Sequence, residues 1–87
     1  MRQIKSCKVG HFVKYNGVLC QVNCFYTNPH GKCATLTEVC DGKRRLFTPL
    51  ATEKVEYLGE TATDDSGRFW VARRRDIDPF EKHYSKN

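Results

Sequence analysis

Apolar and polar positions alternate along residues 8–26 in two runs that meet at Asn16-Gly17, and alternation with a period of two predicts β-strands. Asn-Gly favours a two-residue type I′ turn, because both central residues of that turn need positive φ. The pattern therefore predicts a hairpin with strands at residues 10–15 and 18–26. Its facing pairs are Tyr15 with Val18, Val13 with Cys20, and His11 with Val22. One face carries an apolar stripe that must be buried, made of Val13, Tyr15, Val18, Cys20, Val22 and Cys24.

A second hairpin is predicted around Asp41-Gly42, another dipeptide that favours tight turns. Its strands are expected at residues 32–39 and 44–48. The facing pairs are Leu36 with Phe47, Thr37 with Leu46, and Glu38 with Arg45. The last pair joins opposite charges across the ladder, which supports this register.

The rest of the chain predicts short elements. Residues 1–7 are a lead-in or a short edge strand, residues 49–52 a single 3₁₀ turn, and residues 53–58 a fifth strand. Residues 59–67 are acidic and poor in apolar side chains, so we expect a mobile loop there. A strand at residues 68–73 follows, and Asp78, Pro79 and Glu81 have the pattern of a helix start, for a short helix that ends near Tyr84.

Five short strands with tight turns and a 3₁₀ turn before the last predict a mainly β fold, a small SH3-like β-barrel. The expected single domain comprises a barrel of residues 1–58, a flexible acidic loop of residues 59–67, and a C-terminal strand and short helix of residues 68–87 packed on the barrel. A chain of 87 residues has room for one such domain with a thin core.

The order of features in residues 8–58 is KVG, a basic strand, Asn-Gly, VLCQV, a Pro/Gly/Lys loop and DGKRR. This order resembles the N-terminal SH3-like domain of the elongation factor P family and, more loosely, KOW-type domains. In that family the loop after the second strand presents a modified lysine to the catalytic centre of the ribosome. The matching loop here is NPHGK, with Lys32 after the glycine and no lysine at the tip, so the resemblance implies the fold rather than that role.

Charge is unevenly distributed along the chain. The formal net charge is +5, and residues 59–67 contain three acids and no Lys or Arg. Such an excess favours an anionic partner, either nucleic acid or an acidic protein surface. No apolar run approaches the length of a membrane span, and the first ten residues lack the apolar core of a signal peptide. The expectation is a cytoplasmic protein with no membrane partner.

The cysteines and histidines predict no catalytic or metal chemistry. Five cysteines without a secretion signal are expected to be thiols in a reducing compartment. The spacing Cys20-x3-Cys24-x8-Cys33-x6-Cys40 leaves a zinc site as an alternative, but it lacks the C-x2-C pairs typical of zinc sites. No local motif joins a cysteine to a histidine, although His30 lies near Cys33 in the chain. We therefore expect a protein without cofactor, metal or enzymatic activity.

Phe12, Leu19 and Phe25 are predicted on the face opposite the stripe, beside Lys14 and Gln21. Three large apolar groups are unusual on a wall that faces water. Two alternatives follow. The C-terminal strand covers them with the aromatic residues Phe69, Trp70 and Phe80, or they form a platform on which unpaired bases stack.

The leading functional hypothesis is a non-enzymatic basic module that binds RNA, DNA or a ribonucleoprotein. The expected contacts lie in two arginine groups, in the rim loop and at the tryptophan, namely Lys43, Arg44, Arg45, His30, Lys32, Trp70, Arg73, Arg74 and Arg75. The alternative is a protein-interaction module, such as a small phage-type inhibitor or adaptor that docks on an acidic surface of a larger enzyme. A third alternative is a binder of a small anionic ligand.

Overall fold

The computed structural model describes residues 1–72, and these form two antiparallel sheets. The strands are β1 (Arg2–Gln3), β2 (Phe12–Tyr15), β3 (Val18–Asn28), β4 (Gly31–Glu38), β5 (Leu46–Phe47), β6 (Lys54–Gly59), β7 (Thr61–Thr63) and β8 (Phe69–Val71). A 3₁₀ helix, Ile4–Ser6, follows β1. The first sheet has six strands in the order β1-β6-β2-β3-β4-β5, and the second is the hairpin β7-β8. The mainly β prediction is confirmed.

The Asn16-Gly17 hairpin has the predicted register. Asn16 and Gly17 have φ values of 52° and 81°, as a type I′ turn requires. Tyr15 pairs with Val18 and Val13 with Cys20. Beyond the ladder, the Val22 N–H donates to the His11 carbonyl at 2.9 Å, so the third predicted pair is also aligned.

The second hairpin has the predicted register but not the predicted turn. Leu36 pairs with Phe47 and Thr37 with Leu46, and the Glu38 N–H donates to the Arg45 carbonyl at 2.9 Å. Beyond Glu38 the strands separate, and the φ of Gly42 lies outside the left-handed region that a type I′ turn needs. The reason is Val39, which is buried on another part of the sheet and donates its N–H to the Leu19 carbonyl at 2.9 Å.

The closed SH3-like barrel is not confirmed, because the six-stranded sheet is open. Its edge strands β1 and β5 do not pair with each other. Between these edges runs an irregular segment, in which the Ala51 N–H donates to the Lys32 carbonyl at 2.8 Å and the Ala51 carbonyl accepts the Lys5 N–H at 2.9 Å. Pro49 lies in this segment and has no N–H to donate, which is unfavourable for a regular ladder.

Both faces of the sheet are covered in part. On the core face the buried cluster contains Ile4, Cys7, Val13, Cys20, Val22, Ala34, Leu36 and Val55. On the outer face, Phe12 and Leu19 pack with Val39 and with Ala62 of β7, and Trp70 of β8 packs against this group. The alternative in which the C-terminal strand covers Phe12 and Leu19 is therefore confirmed for Trp70. Phe69 stays 62% exposed, and Phe80 lies outside the described residues.

A β-bulge in β3 interrupts the predicted apolar stripe and moves the residues beyond it to the opposite face of the sheet. Val22 pairs with Leu36 but Cys24 pairs with Thr35, so Asn23 is an extra residue in the ladder. The alternation shifts by one position there. Cys24, predicted on the buried stripe, is exposed on the outer face, and Phe25, predicted on the outer face, shares the core face with Ala34.

Other predicted elements are corrected in part. Residues 59–67, predicted as a loop, include β7. This strand forms because it pairs with β8, and the polar sequence of the segment gave no sign of that pairing. The predicted turn at residues 49–52 is present as one turn, in which the Glu53 N–H donates to the Leu50 carbonyl at 3.0 Å. The predicted strand at residues 68–73 is shorter in the described part of the chain, where β8 ends at Val71. The predicted helix lies outside the described residues.

No helix within residues 1–72 has the length and apolar character needed to span a membrane.

Gly17→Ala should lower the free energy of unfolding by about 1–2 kcal/mol, because its left-handed φ is unfavourable for a residue with a Cβ. The added methyl group meets nothing within 4 Å, so backbone strain is the only cost. Gly42→Ala is the matched control, since that site is equally open and its φ is not left-handed. Urea unfolding curves of the two variants measure the difference. Equal midpoints would show that the Asn16-Gly17 turn does not constrain the sheet.

Candidate functional site

Several aromatic rings within residues 1–72 lie beside cations, and two of these places are candidate sites. The first is a groove of about 290 Å³ beside the β3–β4 hairpin, here called the hairpin groove, which is lined by Lys5, Phe25, Tyr26, Thr27, Lys32 and Ala51. The second, here called the tryptophan surface, is made of Trp70 with the guanidinium groups of Arg44 and Arg68. The charges around these two surfaces differ.

The hairpin groove is built by the bulge at Asn23. Beyond the bulge, Phe25 pairs with Ala34 and Thr27 pairs with Lys32, which places Phe25, Thr27 and Lys32 on the core face of the sheet. The buried cluster of that face does not extend to Phe25, which remains 39% exposed. The bulge therefore directs an aromatic ring toward the open end of the core face. Bulges are often found where a strand must re-aim a side chain beside a functional site.

Backbone hydrogen bonds fix the two lysines of the groove relative to each other. Ala51 is 1% exposed and bonds to Lys32 through its N–H and to Lys5 through its carbonyl. Lys5 and Lys32 are both exposed and both line the groove. Within residues 1–72, no carboxylate lines this groove. It therefore combines an accessible ring with two ammonium groups, the chemistry that suits an anion with a flat apolar part.

The rim loop contributes one of its two predicted residues to this groove. Lys32 lines it, but His30 does not. The His30 backbone N–H donates to the Asn28 side-chain oxygen at 2.9 Å, and Gly31 has a left-handed φ of 123°. This local bonding forms the turn between β3 and β4 and leaves His30 exposed at its tip.

The tryptophan surface is organised by the carboxylate of Asp64. Its Oδ2 accepts the Trp70 indole N–H at 2.9 Å, and its Oδ1 accepts the backbone N–H groups of Ser66 and Arg68, each at 2.9 Å. The Ser66 hydroxyl also donates to Oδ1, at 2.6 Å. The hydrogen bonds from the Ser66 and Trp70 side chains lower the pKa of Asp64 from 3.8 to about 2. Asp64 therefore holds the β7–β8 turn and the indole together.

Two guanidinium groups lie near the Trp70 ring. That of Arg68 is 4.5 Å from the ring centroid and that of Arg44 is 5.9 Å away, both within cation–π range. Arg68 is also ion-paired with Asp41, and the Arg44 Nε donates to the Cys40 carbonyl at 3.2 Å. These cations already have partners within the protein.

The basic group at residues 43–45 is divided between different partners. Arg45 donates to both carboxylate oxygens of Glu38, at 2.9 and 3.1 Å, and this bonding lowers the pKa of Glu38. Its guanidinium also lies 5.4 Å from the ring centroid of Phe47, away from Trp70. Lys43 is exposed, and within residues 1–72 its carbonyl accepts a hydrogen bond from the Cys40 thiol. The predicted residues Arg73, Arg74 and Arg75 lie outside the described residues.

A groove of about 340 Å³ beside the tryptophan surface is predominantly acidic. Its charged residues are Lys14, Arg45, Glu38, Asp41, Asp64 and Asp65. Four carboxylates and two cations line this groove, so a phosphate group would meet their repulsion as well as the attraction of Arg44 and Arg68 nearby. The hairpin groove is therefore better suited to a polyanion than the tryptophan surface.

The cysteines within residues 1–72 do not converge on a metal site. No group of three Cys, His, Asp or Glu side chains in this part of the chain is arranged to hold a metal ion. Cys20 is fully buried on the core face, whereas Cys24 is exposed on the outer face, so the zinc alternative does not fit this pair. Burial raises the pKa of the Cys20 thiol to about 11, as expected for a cysteine that packs as a small apolar residue.

Sequence reasoning missed Lys5, Arg68 and Asp64 as site residues and placed Phe25 on the wrong face. A signal existed for Asp64, because an Asp followed two residues later by Ser is typical of a turn closed by the Asp side chain. The sequence carried no signal for the bulge that moves Phe25 to the core face.

No protein-family model matches this chain, and no match is found among curated proteins or solved structures.

Asp64→Asn should loosen the β7–β8 hairpin, because the amide group can keep one acceptor oxygen but must present an N–H₂ to Trp70 or to the turn. Trp70 is the only tryptophan, so its fluorescence reports directly on this change. We expect a red-shifted emission maximum and a lower thermal midpoint. Asp65→Asn is the control, since Asp65 makes no hydrogen bond or ion pair to other residues within 1–72.

The same carboxylate predicts a pH dependence of stability. Its pKa is lower in the folded chain than its usual value of 3.8, so its contribution to stability is present above that value. The contribution is lost as the pH falls from about 4 to about 2. Thermal midpoints measured across this range should fall more steeply for the wild type than for Asp64→Asn. Parallel curves would exclude Asp64 as the stabilising group.

Proposed function

We propose that this protein is a non-enzymatic module that binds nucleic acid through the hairpin groove. The observation that carries the proposal is the composition of that groove, in which Lys5 and Lys32 accompany the exposed residue Phe25 and the described part of the chain contributes no carboxylate. The net charge of +5 supports attraction of a polyanion over a longer range.

The physical basis is the release of counterions. Each phosphate neutralised by a lysine releases a condensed cation, which makes binding favourable at low salt and weaker as salt rises. An accessible aromatic ring adds stacking, which every base can use. Among the residues that the structure describes, Lys5 and Lys32 have no acidic neighbour in the groove lining, so a phosphate displaces no carboxylate of residues 1–72 there.

We also propose that the six-stranded sheet is an SH3-like barrel left open at one seam. The support is the path of residues 49–53 between the edge strands, where Ala51 bonds to Lys32 on one side and to Lys5 on the other. The same seam forms one wall of the hairpin groove, because Lys5, Lys32 and Ala51 all line it.

A second candidate function is protein interaction, favoured by an uncharged part of the outer face. Tyr26 and Leu50 both pair with Cys33, and Leu46 pairs with Thr37, so these side chains share that face. Tyr26, Leu46 and Leu50 are 38%, 60% and 40% exposed. Such an apolar surface suits a protein partner. Affinity purification with and without nuclease separates the candidates, because only a protein contact survives nuclease.

The double variant Lys5→Gln, Lys32→Gln should weaken binding of a mixed-sequence oligonucleotide and flatten its salt dependence. The slope of log K against log salt should decrease in magnitude by about 1.4–1.8, since each lost phosphate contact removes roughly 0.7–0.9. Filter binding over a range of salt concentrations measures both effects. Lys8→Gln, Lys54→Gln is the control, with the same change of charge at exposed lysines outside the groove.

Two outcomes would contradict the proposal. Absence of retention by the wild type at low salt excludes nucleic acid as a ligand. An equal loss in both double variants shows that net charge alone attracts the oligonucleotide, without a defined site.

A further inference from the structure

We infer that the hairpin groove binds an unpaired nucleotide, whose base stacks on Phe25 while neighbouring phosphates contact Lys5 and Lys32. This inference rests on the nucleic-acid binding proposed above and defines its ligand as single-stranded. It follows from three features of the groove, namely the placement of the ring, the width of the surrounding backbone and the set of polar groups in the lining.

The first feature is the placement of Phe25. The ring is exposed within a groove rather than on a ridge, and the walls of that groove are Lys5, Lys32 and the segment at Ala51. In a duplex, base faces are covered by their neighbours and only base edges and the sugar-phosphate backbone are accessible. A ring that lines a groove can therefore stack only on a base that has left its own stack.

The second feature is the width of the backbone around the groove. A major groove about 12 Å wide admits a two-stranded ribbon. Here β3 pairs with β4, and backbone hydrogen bonds join β4 to the segment at Ala51 and that segment to the one at Lys5. Four neighbouring segments at about 4.8 Å spacing span about 14 Å between the outer backbones alone. Summed along the sheet, this width exceeds that of the duplex groove, which favours a ligand that enters the protein over a sheet end that enters the duplex.

The third feature is the small number of groups able to read a base edge. Apart from the lysines, the polar side-chain group of the described lining on the core face is the Thr27 hydroxyl, since Tyr26 pairs with Cys33 and lies on the outer face. Sequence-specific recognition needs several placed donors and acceptors on the base edge. A ring with two cations is instead typical of surfaces that bind single strands with little sequence preference. We therefore expect weak discrimination among bases.

The test compares one labelled oligonucleotide of about 12 nucleotides, single-stranded and annealed to its complement, by fluorescence anisotropy at low salt. RNA and DNA versions are both used. We expect the single strand to bind at least tenfold more tightly. Phe25→Leu should weaken single-strand binding roughly 5- to 150-fold, the range expected when stacking on one base is lost, and should leave duplex binding unchanged.

Two further variants control for folding and for general loss of aromatic surface. Phe25→Tyr keeps a stacking ring and should retain most of the affinity. Phe69→Leu removes a ring that is exposed on β8, outside the groove, and should have no effect. Circular dichroism verifies that each variant keeps the β-sheet. If Phe25→Leu does not fold, the ratio of single-strand to duplex affinity of the wild type still decides the question.

The outcomes distinguish the inference from the proposal on which it rests. Equal or tighter binding of the duplex, with Phe25→Leu without effect, overturns the inference and leaves nucleic-acid binding intact. Binding of neither form at low salt overturns both. Poly-glutamate serves as a third probe, and if it binds as tightly as the single strand with the same loss in Phe25→Leu, the groove is a site for acidic polypeptide and the inference is wrong.

Discussion

The ladder between β3 and β4 is the constraint on which the rest of the structure depends. It is the longest pairing in the chain, with eight aligned residue pairs interrupted by one bulge. Before the bulge it places Val22 and Leu36 in the core. After the bulge it places Phe25 beside Lys32 at the open end of the same face. One ladder thus determines both what the sheet buries and what it leaves accessible.

The turn at Asn16-Gly17 could be predicted from the sequence, whereas the side-chain alternation along the whole of β3 could not. Asn16-Gly17 fixed the first register because few dipeptides tolerate two positive φ values. The register of β5 followed from the pairing of Glu38 with Arg45, although the tight turn at Gly42 did not form. The bulge at Asn23 has no sequence signal, because an extra residue in a ladder is stabilised by contacts on both sides of it. Phe12, Leu19 and Phe25 therefore looked equivalent in the sequence, but only Phe25 changed face.

The candidate site was partly predictable for a similar reason. Counting charges identified Lys32, Arg44 and Arg45 as cations but could not show which were already paired. Arg45 is bound to Glu38 and Arg44 to the backbone of Cys40, and both interactions depend on how the loop at residues 39–45 leaves β4. Lys5 gave no signal, because its role depends on a backbone hydrogen bond to Ala51, far away in sequence. The sequence gives the number of cations, and the tertiary structure shows which of them are paired within residues 1–72.

The distribution of carboxylates then explains why the two aromatic surfaces have different chemistry. Asp64 is committed to the Trp70 indole and Asp41 to Arg68, so the cations of the tryptophan surface serve to attach the β7–β8 hairpin over Phe12 and Leu19. An arriving phosphate would compete there with carboxylates that are fixed in place. Among residues 1–72 no carboxylate lines the hairpin groove, so cationic and aromatic side chains, which stabilise the fold at one end of β4, are exposed without such a partner from this part of the chain at the other end.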